Sequence, residues 1–99
     1  MRVDVAWNET KNIANQAKHG VSFEEASVLF TSGVEFLEIF DEEHSDDVED
    51  RFLAIGPIRR GIVLVVWTEQ DEHTIRIISA RWASRRERAR YHTFLRQQG

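Results

Sequence analysis

Apolar and polar positions first fall into register at Val3, Val5 and Trp7, interleaved with Asp4 and Ala6, the two-residue period of a short strand. Asn8 is placed to cap a helix over Glu9 to His19, and Gly20 supplies its C-terminal stop. Ser22-Phe23-Glu24-Glu25 has the capping-box spacing and opens a second helix with apolar residues at Phe23, Ala26, Leu29 and Phe30, ending near Thr31-Ser32-Gly33. Val34 to Phe40 and Arg51 to Ile55 read as strands, the second turned by Gly56-Pro57. Ile62 to Thr68 is apolar and β-branched without a break, the pattern of a central strand covered on both faces. Thr74 to Arg81 is its expected hairpin partner across the polar segment from Glu69 to His73. A second capping box, Ser84-Arg85-Arg86-Glu87, opens a last helix to about Gln98, with Glu87, Tyr91, Phe94 and Leu95 along one stripe and Arg85, Arg88, His92 and Arg96 along another. The order β-α-α-β-β-β-β-α predicts one α+β domain, an antiparallel sheet packed with two N-terminal helices and a C-terminal helix.

Ninety-nine residues suit one domain with one core, and 41% hydrophobic with 30% charged residues is a folded, not a disordered, composition. The absence of cysteine removes disulfide and thiolate chemistry and points to the cytoplasm. Met1-Arg2-Val3-Asp4 has no apolar core of a secretion signal, and the longest apolar run, Ile62 to Trp67, is too short to span a bilayer, so no membrane association is expected.

Net charge is -4, but it is divided unevenly. Residues 1–75 hold six Lys/Arg against sixteen Asp/Glu, whereas residues 76–99 hold seven arginines against one glutamate. Seven of the ten residues from Asp41 to Asp50 are acidic, predicting a solvated, mobile loop. A basic end on an acidic body attracts polyanions locally, and arginine's planar fork of donors fits phosphate.

Candidate phosphate ligands are Arg76 and Arg81 on the last strand and Arg85, Arg88 and Arg90 on the last helix; the bland alternative is a solvated basic helix balancing the acidic loop. Strict alternation puts Arg76 and Arg81, five positions apart, on opposite faces, so only one is expected in a site. Among the histidines, His19 beside Lys18 suits either acid–base chemistry or a helix-end dipole contact, His92 lies on the arginine stripe, and His44 and His73 read as surface residues of polar loops. Tyr91 suits proton donation, base stacking or the core equally. HExxH, P-loop, GxGxxG and GxSxG motifs are absent, and Glu43, His44, Asp46 and Asp47 fit no EF-hand pattern, so neither metal nor cofactor is expected.

Three blocks resemble the BrnT family, RelE-like toxins of bacterial type II toxin–antitoxin modules: Trp7-Asn8-Glu9-Thr10-Lys11 through Asn15 to Lys18-His19-Gly20-Val21-Ser22-Phe23-Glu24-Glu25-Ala26; Arg51-Phe52-Leu53-Ala54-Ile55-Gly56; and Arg76-Ile77-Ile78-Ser79-Ala80-Arg81 followed by Glu87-Arg88 and Tyr91. Asn8 departs from the family's usual Asp after the Trp. The resemblance implies a RelE-like fold and a ribonuclease that stops translation. It also implies neutralisation by a BrnA-type antitoxin, through which alone the complex would reach operator DNA. Metal-independent cleavage through a 2′,3′-cyclic phosphate then calls for cations at the phosphate, expected at Arg51, Arg76 and Arg81. It also calls for an acid and a base, with His19 first and Tyr91 second, while Lys18, Arg85 and Arg88 hold the RNA backbone. The rival reading is a non-catalytic binding module, or a degenerate toxin that binds antitoxin or nucleic acid through the same arginines.

Overall fold

The computed structural model describes residues 3–46 and 49–98; Met1-Arg2, Gly99 and, within the acidic segment, Asp47-Val48 lie outside them. The elements run β1 (Asp4–Ala6), α1 (Glu9–His19), α2 (Phe23–Thr31), β2 (Leu37–Phe40), a single 3-10 turn (Glu42–His44), β3 (Phe52–Ile58), β4 (Gly61–Glu69), β5 (Thr74–Trp82) and α3 (Arg85–Gln98). Strands order as β1-β5-β4-β3-β2. The domain is α+β, as its pattern predicts, but the sheet is mixed: β1 lies parallel to β5, with Asp4 opposite Thr74 and Ala6 opposite Arg76, while all other neighbours are antiparallel. Helices α1 and α2 sit on one face, where Phe23, Ala26 and Leu29 meet Ala54, Val63, Val65, Trp67, Ile77 and Ala80. The other face is covered, among the helices, by α3 alone, whose Tyr91 and Phe94 pack with Ile55, Leu64, Leu53 and Leu37.

Both N-terminal helices begin and end on the signals read from the chain. The Asn8 side chain accepts from the Lys11 amide at 3.0 Å, and Gly20 closes α1 at φ 73°. Asn8 thus serves as a helix cap, a role in which asparagine and aspartate are equivalent. Ser22 and Glu25 form the reciprocal capping box. The buried residues of α1 are asparagines, not apolar side chains. Asn12 donates to Glu9 and Glu24, both at 2.7 Å, and accepts from the Phe23 amide at 2.8 Å, which locks the start of α2 against α1.

Two expectations about the strands are corrected. β3 does not turn at Gly56-Pro57 but runs on to Ile58, and the turn is Arg59-Arg60. β2 pairs with β3 only as far as Ile55, so Pro57 occupies an edge position where a missing N–H is tolerated. At Gly56 a Cβ would come within 2.9 Å of both Leu29 Cδ2 and Phe36 Cβ, so glycine there permits close approach of α2 and the β2 lead-in. β2 itself starts at Leu37 and not Val34, because Phe36 turns edge-on to Phe30 at 5.3 Å and the Glu35 carbonyl accepts from Tyr91.

The decisive local feature is in β5. Val66 pairs with Ser79, yet the next residue, Trp67, pairs with Ile77, leaving Ile78 as a β-bulge. Ile77 and Ala80, three apart, therefore both enter the α1/α2 core. At the bulge's far side, β1 no longer covers β5, and Asn15 takes the place of a strand. Its Oδ1 accepts from the Ala80 amide at 3.2 Å, and its Nδ2 donates to the carbonyls of Ala80 at 2.8 Å and Val21 at 3.0 Å. Removing this amide leaves three buried backbone groups without partners, each costing about 1–3 kcal/mol. Asn15→Leu should lower unfolding free energy by at least about 2 kcal/mol in urea titrations; a loss under about 0.5 kcal/mol would show that the clamp is dispensable.

Candidate functional site

The bulge restores to one face what simple alternation would separate. Thr68 faces Arg76 and Leu64 faces Arg81 in the β4–β5 register, and residues paired across antiparallel strands share a side. Arg76 and Arg81 therefore lie together on the face away from α1 and α2, which corrects the expectation that only one could serve a site. Arg51, just before β3, precedes Phe52, which stacks on Trp67 toward the α1/α2 core; Arg51 thus projects to the same face as Arg76 and Arg81. Since α3 covers only part of that face, the remainder forms an open groove. Its floor is Leu53, Leu64, Val66, Ile78 and Ser79, and its polar wall is Asp41, Glu43, His44, Arg51, Arg81 and Glu87.

Arg81 is the best-oriented cation there. It donates from both terminal nitrogens to Glu87, at 2.8 and 2.9 Å, and from Nη1 to the Trp82 carbonyl at 3.3 Å. Glu87 is itself pinned at the start of α3, accepting from the Ser84 amide at 2.8 Å as half of the predicted capping box. The Arg81 guanidinium holds the Glu87 carboxyl down at about 2, and the same bond raises Arg81 above its ordinary value. A guanidinium has five donor hydrogens. Three are used, and among the described residues nothing accepts from Nε, so the Nε–Nη2 edge remains for a ligand's oxygens.

Glu49 joins the other two arginines. It accepts from Arg51 Nε at 3.3 Å and Arg76 Nη2 at 2.8 Å. The described part of the acidic segment is thus not merely a solvated loop. Ser45 bonds back to the Asp41 carbonyl and receives the Arg51 amide, the Glu49 amide donates to Asp46, and the segment folds onto the arginine face. Within it His44 Nδ1 lies 2.9 Å from Asp41 Oδ2, in the groove wall.

The remaining candidates stand elsewhere. Lys18 and His19 end α1, on the opposite layer of the sheet from the arginines. Tyr91 is buried and donates to the Glu35 carbonyl at 2.8 Å; burial raises its pKa, so it acts as a core residue. Arg85 and Arg88 are exposed in the first turn of α3, Arg88 donating to the Ala83 carbonyl at 3.0 Å. Among the described residues no three His, Asp or Glu side chains gather as a metal site, and no helix is long and apolar enough to cross a membrane. By sequence alone His44 is a surface histidine of a polar loop and Glu87 a cap that shares a helix stripe with Tyr91; the break in alternation at Ile77-Ile78 is the available sign of the bulge.

The sequence model described as "Ribonuclease toxin, BrnT, of type II toxin-antitoxin system" matches residues 7–87. The chain belongs to the BrnT family. The fold also matches the 1.1 Å crystal structure of the Brucella abortus ribonuclease toxin, BrnT, with a TM-score of 0.62 and 26% identity over 84% of this chain and 99% of that one. No curated protein sequence matches. The BrnT match spans all three arginines of the groove face and stops at Glu87, so Arg88 and Tyr91 lie beyond it.

The Arg81–Glu87 pair makes a pH prediction. A carboxyl whose pKa falls from 4.5 to about 2 on folding stabilises the fold above 4.5 and loses that contribution as pH falls toward 2. Glu87→Gln should be less stable than wild type at pH 7, with the gap closing between about pH 4.5 and 2 in urea titrations. A gap that stays constant over that range would separate Glu87's charge from stability.

Proposed function

We propose that this chain is a ribonuclease that cleaves RNA by attack of a 2′-hydroxyl on the adjacent phosphate, needs no metal ion, and so halts translation in the cytoplasm. The observation that carries this reading is the placement of Arg51, Arg76 and Arg81 on one open sheet face, each oriented by a carboxylate. In such cleavage, negative charge accumulates on the non-bridging phosphate oxygens, and preformed donors that need no reorganisation stabilise it. Arg81 offers its side edge to those oxygens while Glu87 fixes its plane. Arg51 and Arg76 keep Glu49 as their orienting partner and offer phosphate their remaining donors. The apolar floor between Arg51 and Arg81 offers a surface for a sugar or base. Arg85 and Arg88, a turn beyond Arg81, extend the cationic path for the RNA backbone. Lys18, His19 and Tyr91 take no part in this arrangement.

Membership of a type II toxin family supports an antitoxin partner. We assign it to the BrnA type, contacting operator DNA on behalf of the complex. It is expected to silence the toxin by covering the groove face.

The reading is tested by induced expression of wild type beside Arg81→Ala, following growth and RNA integrity. Wild type should arrest growth with fragmented RNA. The variant should lose cleavage by at least about 100-fold, the effect of removing one preorganised donor. Its stability should change by less than about 1 kcal/mol, because the pair it breaks is partly exposed. Normal growth with a folded wild-type protein would favour a binding module that uses the arginines for docking alone.

A further inference from the structure

The arginine face supplies charge stabilisation but no group to move a proton, and the two residues named for that task from sequence stand off the groove. Of the histidines, His19 ends α1 on the other layer, His73 lies in the β4–β5 turn, and His92 is on the exposed side of α3. Only His44 lines the groove that also contains Arg51 and Arg81. It is presented by the 3-10 turn that follows β2, and its Nδ1 is engaged by Asp41 at 2.9 Å. Asp41 is largely buried, with 16% of its side chain exposed, whereas His44 is 61% exposed, so an anchored carboxylate orients an imidazole whose Nε2 stays accessible. A carboxylate on one ring nitrogen sets the tautomer and makes the other the proton acceptor. The Asp41 amide is held by the Arg51 carbonyl at 2.8 Å, and the Arg51 amide donates to Ser45, so the turn carrying His44 is tied to the strand end carrying Arg51.

We infer that His44 is the catalytic base of the RNA cleavage proposed above, with Asp41 as its positioning residue; this rests on that ribonuclease reading. In the step, His44 Nε2 takes the proton of the 2′-hydroxyl and the 2′ oxygen bonds to phosphorus. The bond from phosphorus to the 5′ oxygen breaks, the departing 5′ oxygen takes a proton from water, and the hydroxide so formed takes the proton held on His44, which restores the water and the neutral imidazole. The products are a 2′,3′-cyclic phosphate and a 5′-hydroxyl end, with no electron transfer and no other reactant. The charged groups facing His44 are Asp41, Glu43, Arg51, Arg81 and Glu87.

The test uses the full chain and a short RNA cut by wild type, with a matched oligonucleotide that has 2′-deoxyribose at the cut position. His44→Ala should lower kcat about 100-fold or more, as loss of a general base does. Added imidazole should restore part of its rate. Asp41→Asn should lower kcat and leave KM unchanged. His73→Ala should match wild type, and the 2′-deoxy oligonucleotide should remain intact. Because His44 is exposed, its removal should leave the thermal midpoint unchanged. His44→Ala cleaving at the wild-type rate while Arg81→Ala is inactive would overturn the role of His44 and leave the ribonuclease reading standing. A wild-type protein that cleaves no RNA would overturn both.

Discussion

Asn15 holds the domain at its most consequential point. Its amide satisfies both backbone groups of Ala80 where no strand covers β5, and it reaches Val21 in the α1–α2 connection with its remaining donor. A β-strand with a bulge has a backbone that its neighbour cannot fully pair. Here β4 follows β5 on both sides of Ile78, β1 stops at Arg76, and a helix side chain closes the ladder instead. This clamp has a direct consequence for chemistry. The bulge shifts the parity of β5 by one residue, so Ala80 turns to the core and Arg81 joins Arg76 on the open face. Without the extra residue, either Arg81 would point into the α1/α2 core or Ile77 would leave it. The bulge thus sets which side of the sheet carries Arg76 and Arg81, and Asn15 satisfies the free edge of the strand just beyond it.

That cationic side is kept ordered by carboxylates. Glu87 spans Arg81 and the α3 cap, and Glu49 spans Arg51 and Arg76. Such half-exposed pairs contribute little to stability, but they determine where flexible guanidinium groups rest. Side-chain entropy that would otherwise be lost on binding a phosphate is already spent in the free protein. The same acidic segment supplies Asp41, Glu43 and His44 to the groove wall, so the chain's most negative stretch and its arginines make one surface. The charge asymmetry along the sequence is bridged in space at Glu49, which joins the acidic segment to Arg51 and Arg76.

The helices were legible because their signals are local. Asn8, Gly20, the Ser22–Glu25 and Ser84–Glu87 boxes each mark a helix end by hydrogen bonds within a few residues. The central strand was legible from its unbroken apolar run, and the arginine-rich end from charge alone. Gly56-Pro57 misled because the pair usually turns a chain; here glycine admits Leu29 and Phe36, and proline sits beyond the reach of β2. His44 reads as a surface residue because the seven acids around it have the composition of a solvent-exposed loop, and nothing local shows that the segment folds back onto Arg51.

What the sequence by itself determined is the order and type of nearly every element, the α+β class, and the identity of the arginines, since caps, hydrophobic period and charge act over a few residues. Tertiary structure alone decided the parallel placement of β1, the shared face of Arg76 and Arg81, the bridge through Glu49 and the entry of His44 into the groove. Each of these depends on which groups, of backbone and side chain, find partners across distant segments. Asn15 and Ala80, 65 residues apart, meet through buried hydrogen bonds of the same kind, which no local pattern encodes.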